Sequence, residues 1–194
     1  MVTAILVQYK RQHYLPEIIE SIIKWPFISE ILIRDNSKCE NIMCSARYEL
    51  AKKAANDIIY VQDDDCVIRD IDKLYKEFLK DPSTMVTGGI QDYIDVVDDN
   101  VHDSKQMGLM GWGSFFKKEW IGVLDKYTDT YGKDDCYIRE SDRIFSILLN
   151  KRHKILLSDI KLFNTLEEDK KVALSFKSDH LHYKKLSIDR ALAL

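Results

Sequence analysis

Three apolar runs of strand length, Thr3 to Gln8, Glu30 to Arg34 and Asp57 to Gln62, fall in the first third of the chain, with segments of helical periodicity between them. Tyr14 to Ile23 reads as an amphipathic helix with Pro16 near its first turn, and Met43 to Ala55 as one with Ala46, Leu50 and Ala54 on one face. A strand–helix–strand series of this kind needs parallel crossovers. It predicts an α/β domain with a mainly parallel central sheet flanked by helices. Each run also ends in a polar cluster: Gln8-Tyr9-Lys10-Arg11, Asp35-Asn36-Ser37 and Asp63-Asp64-Asp65. In open parallel sheets the ligand lies beyond the carboxyl ends of the strands, so the three clusters are expected to converge on one crevice.

The pattern loosens after the Asp triplet. Ile71 to Leu79 reads as a helix, Thr84 to Gly88 as a strand, and Asp92 to Asp103 as an acidic loop or a solvated face. Gly108 to Phe116 reads as a strand whose glycines admit close backbone approach. Lys117 to Leu124 and Glu140 to Asn150 read as helices, His153 to Leu157 as a strand, and the stretch after Lys170 as irregular structure or helix. With 194 residues, 45% of them apolar, and no repeat or linker, one domain over 1–194 is expected.

Composition narrows the function classes. The net charge is −3, with 29 basic and 32 acidic residues interspersed, so no overall basic field is offered to nucleic acid or to an anionic membrane. An anion must then be held by a local site. The run Met1 to Val7 is too short for a signal peptide or a membrane span, which predicts a cytoplasmic protein. Four cysteines, Cys39, Cys44, Cys66 and Cys136, form no CxxC pair, as expected of reduced structural thiols.

Three adjacent carboxylates repel, and stay together only where solvent, basic partners or a bound cation neutralises them. A hard divalent ion does this best, because it prefers carboxylate oxygen and leaves positions open for substrate phosphates. The competing assignment is a solvated acidic turn or a helix cap. The ordered series of a strand ending in Gln-Tyr-Lys-Arg, a second ending in Asp-Asn, a helix bearing Arg47 and a third strand ending in Asp-Asp-Asp resembles the nucleotide-sugar-dependent GT-A glycosyltransferases. Within these it looks most like the exostosin type, and like small glycosyltransferases encoded by large DNA viruses. The resemblance covers about the first 90 residues and returns at Gly111 to Phe116 and Glu140 to Phe145. The chain has neither the phosphate loop of P-loop proteins nor the glycine fingerprint of dinucleotide-binding folds. It also has no Gly-rich, Arg-containing loop of the sugar-nucleotide pyrophosphorylase kind after its first strand.

The resemblance implies a Rossmann-like GT-A domain whose 1–105 half binds a UDP-sugar and whose 106–194 half serves the acceptor and the chemistry. Asp63 and Asp65 would hold Mn²⁺ or Mg²⁺, with Asp64 beside them. Arg11 and Arg47 suit the diphosphate, because a guanidinium can contact two phosphate oxygens at once. Tyr9, next to Gln8, would stack on uracil, and Asp35 or Asn36 would bond a base edge or ribose; packing and turn roles are the alternatives. Trp112 suits the floor of a sugar site, since sugars present apolar C–H faces to aromatic rings, or else belongs to the core.

The family places an acid near the start of the 140–150 helix. Asp142 aligns best, with Glu140 as the other candidate, and a capping role is the rival explanation. His180 and His182, read as alternate residues of an extended segment, would face the same way and offer late metal ligands, or else lie on the surface. The implied reaction is transfer of a hexose or deoxyhexose from a UDP-sugar to a hydroxyl of a glycan or glycoprotein, with the exostosin-like resemblance pointing to a retaining outcome. Nucleic acid is not an expected partner. A nucleotidyltransferase and a non-catalytic calcium- or carbohydrate-binding module are the other readings.

Overall fold

The computed structural model describes residues 1–91, 101–103, 109–150, 152–163, 171, 173 and 177–194. The first run forms β1 (Val2–Gln8), then a 3-10 turn (Gln12–Tyr14) leads into α1 (Leu15–Ile23). β2 (Ile28–Asp35), α2 (Ser45–Ala51) and β3 (Ile58–Asp63) complete the first half of the sheet. β1 lies between β2 and β3 and runs parallel to both. In register, Gln8 faces Asp35 and Val7 faces Asp63, so the three polar clusters leave the sheet at one level. This alignment is what builds the crevice.

Beyond β3 come β4 (Cys66–Ile68), α3 (Ile71–Lys80), β5 (Met85–Gly89), β6 (Val101–Asp103) and β7 (Ser114–Lys117). A 3-10 stretch (Lys118–Gly122) continues into α4 (Val123–Tyr131), followed by α5 (Asp135–Leu149), β8 (Arg152–Leu157), β9 (Ile160–Leu162) and α6 (His180–Leu192). The described strands form a seven-stranded sheet in the order β2-β1-β3-β7-β5-β8-β6, with β4 and β9 paired antiparallel beside it. Within the large sheet, β7 runs against β3 and β5, and β6 against β8. The other strands share one direction, which gives the mainly parallel α/β domain expected.

The core is continuous across the sheet. Ile5, Leu6, Tyr60, Phe115 and Phe116 are buried along the strands, and Phe145 of α5 packs with Tyr48 of α2 and Phe116 at ring distances of 5.0 and 5.3 Å. Burial of each large apolar side chain stabilises the fold by about 1.5–3 kcal/mol. Among the described residues no helix is long and apolar enough to cross a membrane.

Several expected elements differ. Of the stretch Gly108 to Phe116, only Ser114 onward is strand, because Gly111, Trp112 and Gly113 form a turn in which Gly113 takes φ +83°, a conformation that side chains disfavour; Gly108 lies outside the described residues. Of the acidic stretch Asp92 to Asp103, residues 92–100 lie outside them too, and Val101–Asp103 is the strand β6 rather than loop. α2 covers Ser45–Ala51 instead of Met43 to Ala55, and Met43 has φ +44°, which no helix accommodates. The segment with His180 and His182 is helical, the start of α6, and not extended.

Candidate active site

A cleft of about 550 Å³, within the ~300–1,000 Å³ typical of small-molecule sites, opens at the carboxyl ends of β1, β2 and β3. Tyr9, Lys10 and Arg11 line it after β1, Asn36 after β2, and Asp63, Asp64 and Asp65 at the end of β3. Cys44 and Arg47 come from α2 and the residue before it, and Arg139, Glu140, Asp142 and Arg143 from α5. Glu140 has φ −121° and ψ 20°, so α5 kinks there, and Asp142 stands in the first turn of its second half.

Arg47 joins the two sides. Its guanidinium lies 2.5 Å from Asp63 Oδ1 and 3.3 Å from Asp142 Oδ2, and the Tyr48 hydroxyl donates to Asp142 Oδ1 at 3.0 Å. Burial opposes the Arg47 charge, but Asp142 and Asp63 hold it firmly protonated. Across the cleft, Lys10 has φ +62°, and the residues on either side of it both meet Asp64. The Tyr9 amide donates to Asp64 Oδ2 at 2.6 Å and Arg11 Nη1 to Oδ1 at 2.9 Å. Arg11 Nη1 also lies 3.3 Å from Asp65 Oδ2.

These charges are not balanced. Burial, and then the neighbouring Asp63, push the Asp65 carboxyl up to about 7 despite Arg11. Burial pushes Asp142 up to about 6, more than Arg47 offsets, and burial also raises Asp64 and Glu140. Asp63 and Asp65 are the oxygen donors a hard divalent ion takes, and Asp65 is short of countercharge. Among the described residues no three His, Cys, Asp or Glu side chains form a ready metal cage. An ion held by Asp63 and Asp65 would have to draw its other ligands from substrate and water.

Of the residues singled out from sequence, the cleft brings together Tyr9, Arg11, Asn36, Arg47, Asp63, Asp64, Asp65, Glu140, Asp142 and His180. Gln8 is buried behind this wall, its Oε1 accepting from the Arg11 amide at 3.2 Å. Asp35 turns to the Ser37 hydroxyl and amide, which hold its carboxyl down to about 2. Trp112 packs against the core and is not among the residues lining the cleft. Because α6 is helical, residues two apart diverge: His180 Nδ1 lies 3.2 Å from Glu140 Oε1, whereas His182 is exposed against the edge of Tyr183. Neither histidine joins Asp63 and Asp65. Sequence reasoning missed Cys44, Lys10, Arg139, Arg143 and Lys177; the four-residue spacing of Arg139 and Arg143 around the acids of α5 was the one available signal.

Gly111 sets the position of Asp63. Its carbonyl accepts from the Asp63 amide at 2.8 Å, and a Cβ there would lie 1.7 Å from Asp63 Oδ2. Gly111→Ala is expected to drive the Asp63 carboxylate off Arg47 and to cost about 1–3 kcal/mol, as overpacking does. Urea unfolding checks this, and an unchanged midpoint would mean that the site yields freely.

No family model and no curated protein matches the sequence. Solved structures do match. TarS residues 1–349 from S. aureus aligns with a TM-score of 0.52 and 14% identity, over 98% of this chain and 70% of that one; of a longer TarS structure this chain spans 38%. Glucosyl-3-phosphoglycerate synthase from Mycobacterium tuberculosis, solved with Mn²⁺, UDP and phosphoglyceric acid, aligns at 0.52 and 10% identity over 97% and 78% of the two chains. A putative glucose-1-phosphate thymidylyltransferase from Bacillus anthracis, solved with sucrose, aligns at 0.52 and 8% identity over 97% and 96%. Likeness at such identities is likeness of fold: this chain has the GT-A fold.

Proposed function

We propose that the chain is a metal-dependent glycosyltransferase that moves a hexose or deoxyhexose from a UDP-sugar to a hydroxyl of a glycan or glycoprotein. The observation that carries this reading is the meeting, through Arg47, of the acidic end of β3 with the mostly buried acid Asp142 in one cleft. Residues 1–105 supply the donor side. Tyr9 offers a ring for uracil, Asn36 a bond to base or ribose, and Arg11 and Arg47 bind diphosphate oxygens. Asp65 and Asp63 would hold Mn²⁺ or Mg²⁺, which when bound neutralises the diphosphate and improves it as a leaving group.

Residues 106–194 supply the acceptor side. Asp142, pushed up to about 6, matches a group that takes a proton near neutral pH. In an inverting reaction it is the base for the acceptor hydroxyl, and in a retaining one it steadies charge at the anomeric carbon. Glu140, one position before Ser141 at the kink, is the other acid within reach.

The thymidylyltransferase likeness favours one further reading, nucleotidyl transfer, in which phosphorus and not the anomeric carbon is attacked. Products separate the two. Glycosyl transfer releases UDP, and nucleotidyl transfer releases or consumes pyrophosphate. UDP and Mn²⁺ together are expected to raise the melting temperature, since a ligand that binds only the folded state stabilises it, and EDTA is expected to reverse the shift. No shift with any UDP-sugar, with or without Mn²⁺, would overturn the proposal.

A further inference from the structure

β2 is the outer strand of the sheet: among the described strands β1 alone pairs with it. Its free edge can be read from one bond. The Asn36 amide donates to the Gln8 carbonyl of β1, and the register runs unbroken from Thr3 opposite Glu30 to Gln8 opposite Asp35. Backbone groups of successive residues point to alternate sides of a strand, so the even-numbered residues of β2 turn theirs to β1. Ile31 and Ile33 turn theirs outward. Such an edge is usually blunted with lysine or proline, and Ile28–Asp35 contains neither. Ile33 is instead 43% exposed. Glu30 and Arg34 lie two residues to either side of Leu32 and share its face of the strand. Among the described residues neither has an ion-pair partner. Glu30 Oε2 accepts from the Thr3 hydroxyl and the Ala55 amide, and Arg34 donates to the Asn36 side chain and the Glu40 carbonyl.

We propose that this edge pairs with the same edge of a second copy of the chain, antiparallel and about a two-fold axis at Leu32. The stretch Glu30-Ile31-Leu32-Ile33-Arg34 is then its own complement. On both sides of the axis Ile31 of one copy meets Ile33 of the other and exchanges amide–carbonyl bonds with it, which satisfies the groups left free on the edge. Leu32 meets its counterpart and Glu30 stands opposite Arg34, in the pairs where side chains come closest. Moving the axis one residue, to Ile31 or Ile33, sets both charges against neutral side chains, so charge selects the register. The pairing closes on two copies, because each edge is used once. It joins the two sheets into one and sends the two clefts to opposite ends, since the carboxyl ends of the paired strands point apart. It does not depend on which reaction the cleft performs.

Sedimentation equilibrium of the whole chain is expected to show monomer and dimer exchanging with a Kd of about 1–100 µM, as suits an interface at the small end of the range. Ile33→Lys alters an exposed side chain, and is expected to weaken the dimer about tenfold or more while the far-UV circular dichroism stays unchanged. Crosslinking reads the register. In a Cys39→Ser background, which removes the exposed native thiol, Leu32→Cys is expected to give a covalent dimer on air oxidation with copper phenanthroline, because position 32 faces itself within disulfide reach. Ile33→Cys in the same background is expected not to. A wild-type chain that stays monomeric at about 100 µM overturns the proposal, whether the edge is then bare or takes an extended segment of another protein. A dimer that ignores Ile33→Lys, crosslinking through position 33 in place of 32, or growth beyond two copies overturns it as well.

Discussion

Asp65→Asn is expected to lower the affinity for UDP in Mn²⁺ by a factor of about 10–100 or more, and to leave the weaker metal-free affinity unchanged. Loss of even an outer partner of a metal site costs about 10–100-fold, and a direct carboxylate ligand is worth at least that. The fold should not suffer. The Asp65 carbonyl accepts from the Phe163 amide at 2.8 Å, a bond that asparagine keeps, and removing one of three adjacent charges relieves repulsion. Calorimetric titration with UDP, in Mn²⁺ and in EDTA, separates the cases. Equal affinities for variant and wild type in Mn²⁺ would exclude Asp65 as a ligand and leave the diphosphate to Arg11 and Arg47.

Asp142→Asn is expected to cut turnover by a factor on the order of 100 or more with the Kd for UDP little changed, because its charge acts on a centre that changes only during reaction. The same substitution should stabilise the protein. A carboxyl raised from 3.8 to about 6 binds its proton more tightly folded than unfolded, so its contribution is fully present below pH 3.8 and lost as pH rises through 6. At pH 8 the ionised, mostly buried Asp142 therefore costs on the order of 2 kcal/mol relative to its neutral form, and asparagine stays neutral at every pH. The variant should melt about 4–8 °C higher than wild type at pH 8 and at nearly the same temperature at pH 4. A lower melting point at pH 8 would mean that Arg47, left with Asp63 alone, governs the balance.

The elements legible in the sequence are those whose burial writes a period. β1 and β3 lie inside the sheet and are buried on both faces, so their runs are unbroken and their ends fall where the polar clusters begin. The kinked start of α5 was not legible. Asp134 caps it by accepting from the Tyr137 amide at 2.9 Å, but the polar stretch that follows shows its helix only once α6 packs on it. The histidines of α6 were misread for a related reason: a helix with few buried residues has a weak period, and His-Leu-His also alternates as a strand does. In the cleft, the Asp triplet announced itself by its repulsion, but Arg139, Arg143 and Lys177 read as ordinary solubilising residues until tertiary contact brings them to the cleft that Asp63 also lines.

The place of β7 between β3 and β5 governs how the molecule can be made. During synthesis, β1, β2 and β3 leave the ribosome long before Phe115 and Phe116 arrive to pair with Tyr60 and Ile59. Until then the strand that carries the Asp triplet presents an open hydrogen-bonding edge beside apolar surface, the template on which chains aggregate. Pairing so distant in sequence is also slow. Cutting the gene after residue 105 would fix that exposed intermediate permanently, so a fragment that keeps β1 to β3 is expected to stay dissolved only if it extends through Lys117.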